Sequence, residues 1–335
     1  MTSNERMGSR SASRRRWACT VAYALAATLP VLPAVSWAQS AYPSKPIRVV
    51  VPFPAGSPPD VIARAWSDKM RVALGQPIIV DNRAGAATII GAQAVVSAPN
   101  DGYTVMYTAQ NTLAINPSVY KILPYKVDDF VPVSHTATVP LVLIVAANSP
   151  IKSFADLIQT AKASPGKLNY ASYGIGQGTH VAMARMLNAA GVTMTHVPYT
   201  NGGMTDVMSG VITVSFDAST AAIPQIKGGK IRALAVSSAK RIEVLPDVPA
   251  VAEVIPGFEG DSWHGVFVRQ GTPPEIVARL APESQKVIES EDFRKKLSDF
   301  GLVQGGGTPA EFARFLAQDS KAWAKVVKDN DIKVE

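Results

Sequence analysis

The sequence predicts an α/β protein of two lobes, each a sheet flanked by helices with a ligand cleft between them. Three observations carry this. Short apolar, β-branched runs alternate with segments of helical spacing, the pattern of strands alternating with helices around a parallel sheet. A strand, a glycine-bearing loop and a helix follow one another around residues 48–70 and again around 168–190. Two apolar stretches, at residues 139–147 and 263–268, stand between these groups as a crossing into a second lobe and a return. The expected division is residues 39–142 with 265–335 as lobe 1 and residues 143–264 as lobe 2.

Residues 1–38 read as a cleavable signal peptide, with a basic stretch at Arg10 and Arg14-Arg-Arg16, an apolar run from Trp17 to Leu29 and a small-x-small site at Ser36-Trp-Ala38. Pro30 and Pro33 interrupt the run, which falls short of the roughly 20 apolar residues a membrane span needs. The mature chain is therefore expected to be exported and to start at Gln39. Ser13-Arg-Arg-Arg-Trp17 has a twin-arginine flavour, and the export route stays open. The leader holds five of the 33 basic and one of the 26 acidic residues, so the net charge of +7 falls to +3 without it. That small excess gives no basic patch and excludes nucleic acid as an expected partner. Cys19, the only cysteine, leaves with the leader, which removes disulfides, thiolate metal sites and cysteine nucleophiles. The remaining 297 residues can bury a large core and commonly divide into two lobes.

In chain order, Arg48-Val-Val-Val51 is a buried strand, Pro52 to Ser57 a bent loop, and Pro58 onward a helix whose Ile62, Trp66, Met70 and Leu74 share a face. Ser57 suits the N-cap, Pro58 the first helical position, and Asp60 can close a capping box, a structural role. Because two prolines remove donors, the loop should offer the Gly56 and Ser57 amides and the Ser57 hydroxyl, without a cation. Residues 77–80 form a second strand, followed by a glycine loop at 81–87 and an alanine-rich helix to about Ser97; residues 103–107 form a third strand, ending in the polar loop Thr108-Ala-Gln-Asn-Thr112.

After the crossing, Ser153 with Asp156 opens a helix, residues 168–172 form a strand, residues 173–178 a glycine loop, and residues 179–190 a helix ended by Gly191. Residues 195–199, 211–216 and 231–236 are further strands, the second ending in the polar Asp217-Ala-Ser-Thr220. The rest is helical, with Thr272-Pro-Pro-Glu275 and Thr308-Pro-Ala-Glu311 each combining Thr at the N-cap, Pro at N1 and Glu at N3. These caps carry no functional claim.

Most chemistry finds no support. Gly174-Ile-Gly-Gln-Gly178 would need glycine at Thr179 for a dinucleotide fingerprint, and Walker-A spacing is absent. No cofactor is expected. His135, His180, His196 and His264 are scattered, without metal-ligand spacing or carboxylate neighbours, and read as satisfied or surface histidines. There is no G-x-S-x-G elbow, so an exported hydrolase is a minor alternative and no enzyme is expected. What remains is two loops rich in amides and hydroxyls, which suits an ionised carboxylate or an amide held by hydrogen bonds.

The mature chain resembles the extracytoplasmic solute-binding receptors of the tripartite tricarboxylate transporter family, the Bug or TctC type. The resemblance rests on Tyr42-Pro-x-Lys-Pro46, Pro52-Phe-Pro-Ala-Gly56 with Asp60 and Ala63-Arg64, Asn82-Arg-x-Gly85, Asp101-Gly-Tyr103, Tyr170 to His180, Val197-Pro-Tyr199, Ile231 to Val236, Arg241, Leu245-Pro-Asp-Val-Pro249 and Glu253. It implies a two-lobed periplasmic-binding-protein type II fold that closes on a small organic acid and hands it, as a monomer, to membrane permease subunits. It further implies a first half-site of Phe53, Gly56 and Ser57 with Ala86 and Ala87 beside them, and a second of Ser172, Gly174, Gly176, Gln177 and Thr179. Asn111, Tyr199, Asp217 and Ser219 would face the variable end of the ligand. Ser57-Pro-Pro departs from the family, which usually carries a second glycine there; the Ser57 hydroxyl is expected to replace one lost donor. A sensor presenting ligand to a membrane kinase is the alternative role for the same fold.

Overall fold

Alternation along the first strand sets the layers. In β1 (Ile47–Val51), Val49 and Val51 join one apolar cluster and Val50 another, and all three are fully buried. A strand apolar on both faces belongs inside a sheet covered on both sides. The computed structural model, which describes residues 42–334, places it there. The expected signal peptide and its cleavage point lie outside the described residues.

β1 pairs in parallel with β2 (Ile78–Asn82) and β3 (Thr104–Ala109). Between them run α1 (Pro58–Leu74) and α2 (Ile89–Val96), then a π-helical turn over Asn111–Ile115 and the short α3 (Asn116–Val119). β4 (Phe130–Val139) ends this run, and the chain changes sheet at Pro140 to enter β5 (Leu141–Ala146). The second sheet follows with α4 (Phe154–Ala163), β6 (Asn169–Ser172), α5 (Gly178–Ala190), β7 (Thr195–Pro198), α6 (Met204–Ser209), β8 (Val214–Ala218), α7 (Ser219–Lys227) and β9 (Ile231–Val236). Its strand order is β7-β6-β8-β5-β9. The chain returns through β10 (Ser262–Arg269), then α8 (Pro274–Glu289), α9 (Glu291–Asp299), β11 (Val303–Gln304) and α10 (Pro309–Asp329), giving the first sheet the order β11-β4-β10-β3-β1-β2.

Both sheets are mixed, where alternating strands and helices implied parallel ones. β10 runs antiparallel to β3 and β4, and β5 antiparallel to β8 and β9. Each is the strand by which the chain arrives from the other sheet, so it enters from the opposite end. The expected boundaries fall inside these strands, Val142 in β5 and Gly265 in β10. The second crossing, residues 237–261, is tied to the first: the Leu141 N–H donates to Ser237 Oγ at 2.8 Å, and Ser237 Oγ donates in turn to the Asp261 carboxylate.

Two further elements, β8 and α8, depart from expectation, and β4 was not read from the sequence. β8 starts three residues late, because the Thr213 N–H and hydroxyl donate to Asn169 Oδ1 at 2.7 and 2.9 Å and Val211 is left exposed. β4 has no clean alternation; its buried Thr136 is satisfied only by tertiary partners, its hydroxyl bonding Tyr107 Oη and the His264 carbonyl. Thr272 does not cap α8: Pro273 takes that place and the Thr272 hydroxyl donates to the Arg269 carbonyl at 2.7 Å. The capping boxes at Ser153/Asp156 and Thr308/Glu311 form as the sequence indicates.

The core is not divided by lobe. Its largest cluster draws Val50, Met106 and Phe267 from the first sheet and Leu141, Leu143 and Phe216 from the second, with Trp263 and Trp323. Asp319 on α10 accepts N–H bonds from Trp263 Nε1 and Trp323 Nε1 at 2.7 Å each and from Gln110 Nε2 at 3.1 Å. Burial raises its pKa, with those donors and nearby Arg185 pulling the other way. A buried carboxylate is tolerable only with such partners. It fixes the C-terminal helix to the residue that follows β3.

Candidate ligand-binding site

The two glycine loops sit at the carboxyl ends of β1 and β6, the edge where open α/β sheets present loop amides and helix N-termini. In the first, Ser57 is the extended N-cap of α1, but its side chain does not cap. The expected capping box is absent. Asp60 accepts instead from the Gly56 N–H at 2.8 Å, Arg64 Nε at 2.9 Å and Asn82 Nδ2 at 2.8 Å. Burial alone would raise its pKa, yet Arg64, Asn82 and the Gly56 amide hold it below the ordinary carboxylate value. Asn82 Nδ2 also donates to the Phe53 carbonyl at 3.0 Å, so one buried carboxylate fixes both ends of the loop.

The donors foreseen for a ligand are thus drawn inward. The Gly56 amide serves Asp60, and the Ser57 amide and hydroxyl both reach the Pro54 carbonyl, at 3.2 and 2.6 Å. The hydroxyl is a rotor that keeps its lone pairs and can redirect its proton.

Ala86 and Ala87 lie in a turn where three successive non-glycine residues, Ala86, Ala87 and Thr88, have φ of 44°, 49° and 79°. Each is disfavoured for an L-residue and persists only when its surroundings over-determine it. Asn116 does so by donating from Nδ2 to the Ala87 carbonyl at 2.8 Å, while Thr112 Oγ1 donates to Thr88 Oγ1 at 2.8 Å. Neither Asn116 nor Thr112 was singled out from the sequence; an asparagine before Pro117 reads locally as a turn signal.

In the second loop, Ser172 Oγ accepts the Gly174 N–H at 3.1 Å and hydrogen-bonds with His196 Nε2 at 2.7 Å. Thr179 Oγ1 accepts the Tyr173 N–H at 3.2 Å, and His180 Nδ1 accepts the Gly176 N–H at 3.0 Å. Gln177, the N-cap of α5, makes no side-chain cap; its Oε1 accepts instead from Asn111 Nδ2. α5 therefore points an N-terminus without a side-chain cap into the loop, which favours an anion there.

That Asn111–Gln177 bond crosses between the sheets, and close packing reinforces it. A Cβ on Gly178 would lie 3.0 Å from Asn111 Oδ1, and one on Gly176 2.4 Å from Val119 Cγ1. The segment from Gln110 to Val119 thereby carries the second loop on one side and the strained Ala86–Thr88 turn on the other. Phe53, Gly56 and Ser57 connect to that turn through Asn82 and through Pro52, which Gly91 approaches so closely that a Cβ there would lie 2.5 Å from Pro52 Cβ.

The remaining expected residues are less directly placed. Tyr199 gives its hydroxyl to Asp206 Oδ2 at 2.5 Å, and Ser219 gives its hydroxyl to the Phe300 carbonyl at 3.2 Å. Asp217 lies within β8, fully buried: Oδ1 accepts from the Tyr173 hydroxyl at 3.1 Å and the Ala218 N–H at 2.9 Å, while Oδ2 has no partner. Burial pushes its pKa up to about 7 against those two bonds. Neither of two cavities, of about 360 and 600 Å³, is lined by Gly56, Ser57, Ala86 or Ala87.

Two mixed sheets joined by crossing strands, with a loop and helix N-terminus at the carboxyl edge of each, define a two-lobed binding protein of the periplasmic type II class. The chain belongs to the tripartite tricarboxylate transporter receptor family (TctC), whose model matches residues 62–332. It is 33% identical over 299 residues to protein BugT of Bordetella pertussis, covering 88% of this chain and 92% of that one. Among solved structures, Rhodopseudomonas palustris Rpa4515 with adipate shares 34% identity at TM-score 0.80, covering 88% of this chain and all of the other. MatC from the same organism with bound malate shares 29% identity at TM-score 0.75, covering 85% and 100%. The resemblance drawn from the sequence is thereby confirmed at the level of family and fold.

Two outcomes follow from this geometry. Gly176→Ala is expected to lower stability by about 2–4 kcal/mol, from a Cβ driven into Val119 and a left-handed φ of +72°. Adding Val119→Ala should recover the steric part, read as non-additivity in a urea double-mutant cycle; simple additivity would contradict the contact. For Asp217, the folded carboxyl holds a proton between the unfolded value near 3.8 and about 7, so stability should rise as pH falls through that window. Asp217→Asn should flatten this arm when urea midpoints are compared at pH 8 and pH 5; an unchanged slope would exclude the assignment.

Proposed function

We propose that this protein captures a small carboxylate in the periplasm and delivers it to the membrane permease subunits of a tripartite tricarboxylate-type transporter. The observation that carries the reading is the N-terminus of α5, without a side-chain cap at the carboxyl edge of the second sheet, together with the Ser57 hydroxyl at the carboxyl edge of the first, a rotor that can turn its proton to a ligand. Backbone N–H groups and hydroxyls aimed at an ionised oxygen make strong hydrogen bonds, so a carboxylate can be held without a cation. The family assignment, and the adipate and malate in two structural neighbours, support the same ligand class.

In this reading Phe53, Gly56, Ser57, Ala86 and Ala87 form one half-site and Ser172, Gly174, Gly176, Gln177 and Thr179 the other. Asn111, Tyr199 and Asp217 border the distal end of the ligand, and Ser219 braces the Phe300 turn. Ligand binding turns the Ser57 hydroxyl from the Pro54 carbonyl to a ligand oxygen. The lobes, residues 39–142 with 265–335 and residues 143–264, close as a monomer by flexing at the crossing segments near Val142 and Gly265. Closure signals occupancy only in so far as the ligand binds the closed form more tightly. Among the described residues no helix is long and apolar enough to cross a membrane. The family and its structural neighbours are binding proteins, and capture rather than turnover is the reading they favour.

A thermal-shift panel of mono- and dicarboxylates that includes adipate and malate tests this directly. A ligand present at about 100 times its Kd adds roughly 2.7 kcal/mol to native-state stability, and Ser57→Ala should weaken that ligand about tenfold. A panel in which no acid raises the melting temperature would count against the reading.

A further inference from the structure

The histidines that the sequence left scattered converge behind the second loop. His180, in the first turn of α5, and His196, on β7, stack with ring centroids 3.8 Å apart and planes 8° from parallel. Tyr170 of β6 stacks on His196 at 4.9 Å. Each imidazole reaches a different point of the loop: His180 Nδ1 accepts the Gly176 N–H, and His196 Nε2 meets the Ser172 hydroxyl. Ser172 Oγ accepts the Gly174 N–H, and its own proton has two acceptors in reach, the Gly174 carbonyl at 3.2 Å and His196 Nε2 at 2.7 Å, of which the ring is the closer. Both rings then act as acceptors toward the loop, which only a neutral imidazole can do.

We propose that His180 and His196 are positioning residues for the second half-site: as a stacked neutral pair they hold Gly176 and Ser172 in the geometry that receives a ligand, and protonating His180 releases the loop at Gly176. A proton on His180 Nδ1 would set a donor against the Gly176 donor. A proton on His196 Nε2 would reverse the ring's contact with Ser172 and turn the hydroxyl proton to the Gly174 carbonyl, 3.2 Å away. Two charged rings at 3.8 Å would also repel. The surroundings keep the pair neutral at physiological pH: burial pushes both down to about 4, and His196 further disfavours charge on His180. The other titratable groups facing the pair are Tyr170 on β6, pushed up to about 12 by burial, and Asp331 and Lys333 of the C-terminal residues, a direct ion pair that lines the same cavity of about 360 Å³ as the two rings. Beyond Ser172, the Tyr173 hydroxyl engages Asp217 of β8. None of these places an unpaired carboxylate against the imidazoles.

The effect on ligand affinity rests on the receptor reading above, whereas the hold on the loop does not, and the test separates them. Nitrogen-15 NMR of the full mature chain should show His180 as the neutral Nε2–H tautomer and both rings still neutral at pH 5, where an exposed imidazole is mostly charged. Either ring titrating near pH 6.5 would overturn the proposal. Asn can place an oxygen where Nδ1 lies, so His180→Asn should keep Gly176 amide exchange close to wild type, while His180→Gln, which cannot, should speed it about tenfold. Equal exchange in the two variants would also overturn it. Calorimetry with adipate should give the same ranking, His180→Gln about tenfold weaker than His180→Asn. If the wild-type protein takes up no carboxylate while the tautomer and exchange results stand, it is the receptor reading that fails.

Discussion

The contact on which the binding geometry depends is the one between the residues that follow β3 and the loop that opens α5. Asn111 reaches across to Gln177, and Gly176 and Gly178 come so close to Val119 and Asn111 that a methyl group at either position would collide or crowd. Through Asn116 the same ten residues hold the left-handed Ala86–Thr88 turn, and through Gln110 they are tied to Asp319 on the C-terminal helix. Loops otherwise fixed only to their own sheets are set against one another by this segment. Its π-helical start is itself a departure from regular geometry of the kind found at functional sites.

The same economy recurs in the loops, whose polar groups are satisfied by their neighbours. Asp60 gathers Gly56, Arg64 and Asn82; Ser172 and Thr179 take up the Gly174 and Tyr173 amides; the stacked histidines take Gly176 and Ser172. Loops of this kind are preorganised, and in the proposed reading a carboxylate would exchange existing hydrogen bonds for stronger charge-assisted ones instead of ordering a slack loop. Asp217 is the exception, with one oxygen left unpartnered in the interior and a pKa raised accordingly.

Much of this was legible in the residues. The strand, loop and helix at 48–70, the αL glycine that ends α5 and the capping boxes at Ser153 and Thr308 follow from local chemistry, and the structure places them as read. What could not be read depends on distant partners. Nothing in the neighbourhood of Ser57 says that Asp60 will prefer the Gly56 amide, since that choice is made by Asn82, 22 residues away. His180 and His196 lie on a helix and on the strand beyond it, and only the parallel pairing of β6 with β7 brings His196 opposite Tyr170 and under α5. β4 escaped because its polar residues are buried against Tyr107 and His264 rather than turned to solvent. The mixed sheets escaped because strand direction is set by which lobe the chain arrives from.

Family membership and the two loops together make a specific claim: one small carboxylate, gripped from both sheets at once. A crystal structure of the mature protein grown with an acid that raises its melting temperature measures this most directly. The expected result is density for a carboxylate between Phe53–Ser57 and Ser172–Thr179, within hydrogen-bonding distance of the Ser57 hydroxyl and the first amides of α5. Density confined to one loop, or lodged in the cavity beside Asn330 and Lys333 with the loops empty, would contradict it.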